Sequence, residues 1–464
     1  MKRLSILSLT LGAALLSPCA MAQEPADPWT PQPYSTIQHP EWSKDAVLYQ
    51  INTRQFTPEG TFRAAERELL RLKELGVDIL WLMPIHPIGE TNRKGTLGSP
   101  YSVRDYYEVN PEFGTKEDLK SFVDAAHAQG FHVILDLVAN HTAWDNALAE
   151  QHSDWYENDW KGDFRPTPWW DWSDVIDLDW SQPGVRKHVG EAMEYWVREF
   201  DIDGYRADVA GYVPLDFWEA ERQRLDAIRP VFMLAEWKTP EMTRQAFDAV
   251  YAWEWHQTVK QIAQGKADAT ALFGYYAENE SSWPREAMRL TYIANHDSNS
   301  WEGTQYENFG EALPAFMALS FAGEGLPMLY NGQEACNAKR LEFFEKDPID
   351  WSQGEGCTLG DLASRLIAFR KANPALANGQ WGARMQQVVN DKPQQLFAWV
   401  RQQDGNKVVG LFNLSDKPVS AQLADGLAAG RYVDFADGSD IELKAGTTVE
   451  LPAWGYRLLS SGST

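Results

Sequence analysis

The fold is decided by Gly204-Tyr-Arg-Ala-Asp-Val-Ala210, a short apolar run that carries a carboxylate near its end. Two later runs have the same form, namely Val231-Phe-Met-Leu-Ala-Glu236 and Leu290-Thr-Tyr-Ile-Ala-Asn-His-Asp297. Each run predicts a buried β-strand with an acid at or just after its end. The ends of successive strands converge at the mouth of a parallel barrel, where this architecture carries its chemistry. The three acids therefore indicate an enzyme.

Strand and helix patterns alternate on both sides of these runs. The predicted strands, in chain order, cover residues 47–52, 77–83, 132–137, 204–208, 231–236, 249–252, 290–293 and 327–331. Apolar residues at helical spacing predict helices over 62–75, 116–129 and 184–200. Eight strands with intervening helices predict the α/β class and a closed (β/α)8 TIM barrel.

Two other regions depart from this alternation. Residues 141–182 are too long for an ordinary loop after the third strand, and they predict an inserted lobe that forms one wall of the cleft. We expect at least one tryptophan of this lobe to face substrate. Short alternating segments after residue 377 predict a C-terminal antiparallel β-domain over 378–464. The barrel then covers 45–140 and 183–377, after an extended N-terminal arm at 23–44.

The N-terminus predicts export. Basic residues, the apolar run 4–16 and Ala20-Met-Ala22 form a signal peptide over 1–22, with cleavage after Ala22. The alternative is a lipid-anchored precursor at Cys19, which Pro18 fits poorly. No stretch is long enough for a permanent membrane span. We therefore expect a periplasmic or extracellular protein, and a monomer.

The amino-acid composition limits the classes of partner that we expect. Removing the signal changes the formal charge of -24 to about -26, which repels nucleic acid and anionic membranes. Neutral polymers remain compatible with this charge, although solubility alone also explains it. The 21 tryptophans suit sugar stacking and core packing equally. Cys336 and Cys357 remain after processing, and they either pair in an oxidising compartment or stay as free thiols.

The acids have distinct surroundings. Arg206 and Asp208 are two residues apart, so their side chains share one face of a strand, and the guanidinium favours the ionised form that a nucleophile needs. Taken alone, this pair could be a structural ion pair. Glu236 ends an apolar strand, which is expected to keep its carboxyl protonated as a general acid. Taken alone, it could be a buried, satisfied carboxylate.

Four segments, in this order, resemble the ordered sequence regions of the α-amylase family, glycoside hydrolase family 13. They are Asp136-Leu-Val-Ala-Asn-His141, Gly204-Tyr-Arg-Ala-Asp208, Ala235-Glu236 and Asn295-His-Asp297. Residues 60–84, 175–179 and 325–334 agree as well. The resemblance covers roughly residues 45 to 460, including the β-domain.

The resemblance implies a role for each matched residue. The implied roles are nucleophile for Asp208, acid/base for Glu236, third carboxylate for Asp297, orientation of Asp208 for Arg206, hydrogen bonding to the sugar for His141 and His296, stacking beneath it for Tyr101, and a structural acid for Asp136. The implied activity is retaining hydrolysis of α-1,4 bonds in starch or maltooligosaccharides. Two alternatives stay open: an α-glucosidase, including α-1,6 action, or α-glucosyltransferase, and a non-catalytic carbohydrate-binding relative.

One departure concerns calcium. Many α-amylases have Lys-His where this chain has Gly211-Tyr212, which weakens the implied reducing-side contacts and the implied calcium site. Asn140 and Asp177 nevertheless match side-chain calcium ligands, so a structural Ca²⁺ is one interpretation. The other is that these two residues only hydrogen-bond the lobe to the barrel. No organic cofactor is implied.

Overall fold

The computed structural model describes residues 29–354, 356–424 and 426–462. The chain divides into two units, residues 1–34 and 35–464, and the elements below belong to the second. The predicted signal peptide lies outside the described residues. Within the described part of the chain, no helix combines the length and apolar character that a membrane crossing requires.

Eight of the eighteen strands in the described residues close into a parallel barrel. The strands are, in chain order, β1 Leu48–Ile51, β2 Ile79–Leu82, β3 His132–Leu137, β4 His141–Ala143, β5 Val175–Asp177, β6 Gly204–Ala207, β7 Phe232–Ala235, β8 Ala249–Tyr251, β9 Met288–Tyr292, β10 Leu326–Tyr330, β11 Gln386–Gln387, β12 Leu396–Gln403, β13 Asn406–Asn413, β14 Val419–Gln422, β15 Gly430–Asp434, β16 Asp440–Leu443, β17 Thr448–Leu451 and β18 Tyr456–Ser460. Barrel neighbours follow the order β1-β10-β9-β8-β7-β6-β3-β2. The predicted TIM barrel is confirmed.

Helices surround the barrel strands. They are, in chain order, α1 Thr53–Phe56, α2 Phe62–Arg67, α3 Leu69–Leu75, α4 Lys116–Ala128, α5 Ala147–Gln151, α6 Pro183–Phe200, α7 Leu215–Asp226, α8 Trp253–Ala263, α9 Ala271–Ser282, α10 Gln305–Phe309, α11 Leu313–Ala322 and α12 Leu359–Ala372. The single helix predicted over 62–75 is two, because the Glu68 amide bonds back to Ala65 O and closes the first helix there.

Strand alternation sorts side chains into two layers. On β3, Val133 and Leu135 join the large core shared with the helices, whereas Ile134 belongs to a second core inside the barrel. Asp136 has the same parity as Ile134 and therefore also points inward. The register pairs Asp136 with Arg206 of β6, so both reach the barrel interior at the carboxyl end of the strands. This end positions the site.

The inserted lobe and the C-terminal domain complete the chain. β4 and β5 pair antiparallel, with His141 opposite Asp177, and join the two ends of the lobe. The C-terminal strands form an antiparallel sheet in the order β11-β12-β13-β18-β15-β16, together with the pair β14-β17. This arrangement confirms the predicted β-domain.

A buried acid at the amino end of the barrel provides a stability test. Burial alone would raise the pKa of Asp203, but hydrogen bonds from His127 and the Val133 amide, together with His132 Nδ1 at 3.5 Å, lower it to about 2. A lowered pKa stabilises the fold above the ordinary value of 3.8, and this stabilisation disappears as pH falls towards 2. We expect Asp203→Asn to cost about 2 kcal/mol at pH 7 and little at pH 2.

Urea unfolding at both pH values measures this difference. Asp201→Asn is the matched control, because Asp201 is half-exposed and its ion pairs, with Lys120 at 3.2 Å and Arg229 at 3.5 Å, are partly exposed too. Exposed ion pairs contribute little, so this control should stay within about 0.5 kcal/mol of the parent. A loss for Asp203→Asn that does not change with pH would contradict the assignment.

Candidate active site

Three carboxylates from neighbouring strands meet at the guanidinium of Arg206, which is fully buried. Its Nη1 lies 2.7 Å from Asp136 Oδ1 and 3.1 Å from Asp208 Oδ1. Its Nη2 lies 2.9 Å from Glu236 Oε1, an ion contact that is out of line for a hydrogen bond. The predicted nucleophile, Asp208, and the predicted acid/base, Glu236, are therefore neighbours.

The backbone fixes this arrangement. The Asp208 amide donates to Leu137 O at 2.9 Å, and the Glu236 amide donates to Ala207 O at 3.0 Å, so each acid directly extends its strand. Val209 has φ 36° and ψ 47°, a left-handed conformation that is costly for a β-branched residue. In this conformation its amide donates to Glu236 Oε2 at 2.7 Å. The strained turn after Asp208 therefore holds Glu236 beside it.

The site carries more negative than positive groups. Burial raises the pKa of Asp208 well above its ordinary value; Arg206 lowers it, and Glu236 and Asp136 raise it further. Burial likewise raises the pKa of Asp136 to about 6. The influence of Arg206 that the sequence predicts is present, but burial outweighs it. The clustered carboxyl groups Asp136 and Asp208 therefore ionise less readily than separate carboxyl groups in water.

His296 and Tyr101 form a second network beside the acids. The ring nitrogens of His296 contact Gln50 Nε2 at 2.7 Å and the Tyr101 hydroxyl at 2.8 Å. The same hydroxyl donates to Asp136 Oδ2 at 3.1 Å. Burial lowers the pKa of His296 to about 3, so the ring is neutral. Both ring nitrogens of His296 have protein partners, and these contacts orient Tyr101. The predicted contact of His296 with sugar stays a prediction.

His141 differs from His296 in the hydrogen bonding of its ring nitrogens. Its ring lines the cavity beside Trp172, with the ring centroids 5.7 Å apart. Burial lowers the pKa of His141 to about 4, so this ring is also neutral. Its Nε2 is buried and has no hydrogen-bond partner among the residues that the structure describes. A buried polar atom without a partner is costly, and a sugar hydroxyl would satisfy it.

The acids open into a cavity of about 530 Å³, a size typical of small-molecule sites. Six of the seven predicted catalytic and substrate-binding residues line it, and Arg206 lies behind them. The cavity-lining residues are Tyr101, His141, Asp208, Glu236, His296 and Asp297, together with Lys94, Ser99, Trp170, Asp171, Trp172, Asp174, Val175, Val209, Trp301, Phe343 and Phe344. Trp170 and Trp172 come from the inserted lobe, as we predicted for at least one of its tryptophans.

Sequence reasoning missed a second aromatic part of the cavity wall, formed by Trp301, Phe343 and Phe344. Trp301 packs against Phe343 and Phe344, with centroid distances of 5.3 and 5.8 Å. The two phenylalanines lie in the segment between Cys336 and Cys357, which form a disulfide with Cα atoms 5.8 Å apart. Of the two alternatives for these cysteines, the structure has the pair. The sequence signal that could have revealed this wall is the pair of cysteines that flanks the segment with Phe343 and Phe344.

The structure brings together Asn140, which precedes β4, and Asp177 of β5, and neither residue lines the cavity. Asn140 Nδ2 donates to Asp177 Oδ1 and to Thr167 Oγ1, both at 3.2 Å, and the Thr167 hydroxyl donates to Asp177. Arg165 Nη2 lies 3.8 Å from Asp177 Oδ2. Within the described residues, no three His, Cys, Asp or Glu side chains group to hold a metal. Asn140, Thr167 and Asp177 hydrogen-bond to one another, and the Arg165 guanidinium lies beside them. This arrangement fits Ca²⁺ poorly.

Calcium binding therefore stays a prediction, and the contacts favour its alternative. We expect EDTA to leave the midpoint of thermal unfolding unchanged, because protein groups hold Asp177. We expect Thr167→Val to lower stability by about 1 kcal/mol, because the variant removes a buried hydrogen bond. A midpoint that falls with EDTA and recovers with added Ca²⁺ would reverse this interpretation.

Comparison with known proteins agrees with this geometry. Residues 50–405 match the family described as the alpha amylase catalytic domain, and residues 385–458 match the maltogenic amylase C-terminal domain. An α-amylase of Haloarcula japonica is 28% identical over 437 residues, which span 89% of this chain and 63% of that protein. A maltogenic α-amylase of Bacillus acidopullulyticus is 26% identical over 472 residues, which span 91% of this chain and 78% of that protein.

A crystal structure gives the same result. The chain superposes on a maltogenic α-amylase from Thermotoga neapolitana with a TM-score of 0.83 and 29% identity, covering 91% of this chain and 100% of that one. The chain spans less than two thirds of the length of the Haloarcula protein. Because the catalytic-domain match covers well over half of the sequence, this chain belongs to the α-amylase family.

Proposed function

We propose that the protein is a retaining glycoside hydrolase that cleaves α-1,4-glucosidic bonds of starch or maltooligosaccharides. The observation that carries this proposal is that Asp208 and Glu236 line one cavity and both contact the guanidinium of Arg206 behind it. Retaining enzymes keep their two carboxyl groups about 5 to 5.5 Å apart, whereas inverting enzymes leave room for a water between them. Two acids held side by side suit direct attack on the sugar.

The first step forms a covalent intermediate. Asp208 attacks the anomeric carbon, the bond from that carbon to the glycosidic oxygen breaks, and Glu236 gives its proton to the departing oxygen. Arg206 contacts both acids, so it holds the nucleophile and the proton donor in one geometry. The product of this step is a β-glycosyl ester on Asp208.

The second step restores the enzyme. Glu236, now ionised, takes a proton from water while the water oxygen bonds to the anomeric carbon and the ester bond to Asp208 breaks. Two inversions at one carbon leave an α-configured product. Asp297, on the cavity wall, would hold sugar hydroxyls and support the positive charge of the transition state, and His141 Nε2 would bind a further hydroxyl.

We also propose that the protein is exported and works in the periplasm or outside the cell. The N-terminal sequence supports this location, because it has the regions of a secretory signal. The Cys336–Cys357 disulfide supports it as well, because such bonds persist in oxidising compartments. Mass spectrometry of protein recovered from fractionated cells tests the proposal. A cytoplasmic chain that retains Met1 would overturn it.

Anomer-resolved NMR of the products tests the activity. We expect starch and maltotriose to give α-anomeric maltooligosaccharides or maltose at early times. Glucose alone would favour the α-glucosidase alternative, and cleavage of isomaltose would show α-1,6 action. β-Anomeric first products would exclude the retaining mechanism. Tight sugar binding without turnover would favour the non-catalytic relative.

A further inference from the structure

A second cavity, here called the junction pocket, lies where helix α9 meets the C-terminal sheet. It has a volume of about 330 Å³ and shares no lining residue with the cavity that holds Asp208 and Glu236. Its lining includes Phe273, Tyr276 and Glu280 of α9, Gln387 of β11, and Phe397 and Trp399 of β12. A volume of this size is at the lower end of the range for small-molecule sites.

Strand alternation on β12 directs two aromatic side chains towards this pocket. Ala398 and Val400 belong to the core of the C-terminal domain. Phe397 and Trp399 have the opposite parity, and they pack with the large core of the barrel helices instead. Gln387 lies directly opposite Trp399 in the antiparallel register, so its side chain is on the same face of the sheet. This face therefore presents two aromatic rings beside an amide.

Helix α9 supplies the other side of the pocket. Phe273 and Tyr276 are three residues apart, so they share one face of the helix. Their ring centroids lie 6.1 and 5.8 Å from that of Phe397. Both are only partly buried, so part of each side chain is open to a ligand. The pocket therefore has aromatic walls on two sides.

Trp399 lines the pocket and carries a polar atom that no described residue satisfies. The side chain is fully buried, and its Nε1 has no hydrogen-bond partner within the described part of the chain. A Cβ atom at Gly410, on the next strand, would lie 2.2 Å from Trp399 Cε2, so the glycine leaves room for the indole. An indole N–H can only donate, and a buried donor without an acceptor is costly. An oxygen atom of a ligand would remove this cost.

The charges at the pocket favour a neutral ligand. Arg384 Nη1 donates to Glu324 Oε1 at 2.6 Å, and its Nη2 donates to Trp283 O at 3.2 Å. Its Nε lies 3.5 Å from Glu280 Oε2. The guanidinium is thus already paired, which disfavours an anion, and the Glu280 carboxylate has a cation beside it. Aromatic faces with amide and indole groups suit a sugar, which has apolar ring faces and many hydroxyl groups.

We propose that the junction pocket binds a short stretch of an α-glucan chain, separately from the site of cleavage. The choice of a neutral sugar follows from the pocket, and the choice of an α-glucan rests on the proposed function. The ring of Phe273 packs against a sugar ring, while Trp399 Nε1 and the Gln387 amide bind its hydroxyl groups. A long polymer then attaches at two points, which strengthens its binding, whereas the cleavage of a short oligosaccharide does not depend on the pocket.

The test is affinity electrophoresis in native gels that contain soluble starch. The proteins carry Glu236→Gln, so that they do not digest the polymer in the gel. We expect Phe273→Ala to raise the apparent Kd for starch about three- to tenfold, because it removes a stacking surface. Ala277→Arg should have the same effect, because Ala277 lines the pocket from an exposed position on α9 and the longer side chain fills it.

The same substitutions with Glu236 intact should leave kcat and KM for maltotriose unchanged. Glu278→Ala is the matched control, because Glu278 is exposed on the same helix but does not line the pocket. Gln387→Ala, which removes the amide, should weaken retardation by starch, whereas Gln402→Ala, at an exposed glutamine elsewhere on the same sheet, should not.

Retardation of Phe273→Ala and Ala277→Arg equal to that of the parent would overturn the inference. A loss of retardation matched by an equal loss of maltotriose cleavage would show a merely structural effect and would also overturn it. A parent that cleaves starch but is not retarded would overturn it as well. If the parent cleaved neither starch nor maltotriose, the proposed function would be refuted, while retardation that depends on the pocket would still support a sugar site there.

Discussion

Glu236→Gln will lower kcat for maltotriose by about 10²- to 10⁴-fold, the usual contribution of a positioned general acid. Glutamine keeps the size of the side chain and can still accept the Val209 amide, which now donates to Glu236 Oε2. It cannot donate a proton to the glycosidic oxygen as an acid does. The chemical step should therefore fail while the fold and the cavity persist.

The same variant should behave differently with α-maltosyl fluoride. Fluoride leaves without protonation, so Asp208 can still form the glycosyl ester, but no base then activates water. Intact-protein mass spectrometry should show one added maltosyl group. Glu302→Gln is the control, because Glu302 is half-exposed and pairs with Lys260, and it should leave kcat near normal. Near-normal turnover by Glu236→Gln would remove Glu236 from the acid/base role.

Arg206→Met will produce the largest loss of stability. It leaves buried carboxylates, Asp136 above all, without their cation, and breaking a buried ion pair costs about 3 to 5 kcal/mol. These carboxyls can respond by taking up protons. The deficit should therefore be largest at high pH and smaller near pH 5, as urea unfolding at several pH values would show. Catalysis should also fall sharply, because protonated Asp208 is a poor nucleophile.

Arg222→Met separates the two effects. Arg222 is also buried, and its Nη1 lies 2.8 Å from Asp248 Oδ2, but its carboxylate partners are Asp226 and Asp248 rather than the candidate catalytic acids. We expect a comparable loss of stability, with kcat retained by the folded fraction. If Arg206→Met kept normal kcat under conditions where it is folded, its orienting role would be wrong.

The barrel could be predicted because its signals are local. A buried parallel strand is a short apolar run, and even β8, only three residues long, follows from Ala-Val-Tyr before an amphipathic segment. Asp208 and Glu236 could be assigned because each stands directly after its strand, and Asp297 because it follows β9 after a short connection. Strand order then places them at one end, since parallel strands share a direction.

The contacts within the site could not be predicted in the same way. Nothing in the sequence states that Arg206 also reaches Glu236, or that Gln50 of β1 bonds His296 beyond β9. These contacts depend on the stagger of strands around the closed barrel and on side-chain rotamers. The left-handed turn at Val209 is equally invisible, because valine is a residue that avoids it.

The aromatic wall formed by Trp301, Phe343 and Phe344 depends on loop conformation. Phe343 and Phe344 lie in a long connection after β10, and Trp301 lies in a single turn after Asp297. Their meeting requires hydrogen bonds between the two connections, such as Leu341 N–H to Asn299 Oδ1 at 2.9 Å. Loop backbones carry little periodic signal, so pattern reasoning ends where these connections begin.

The short pairing of β4 with β5 has an evolutionary consequence. It ties residues 141–143 to 175–177, so the stretch between them is a closed excursion whose two stems sit side by side. Insertions, deletions or replacement of residues 144–174 could change one wall of the cleft, while Asp208 and Glu236 keep their positions at the ends of the strands. Lineages, and protein engineers, can thereby alter the accepted sugar without reinventing the reaction.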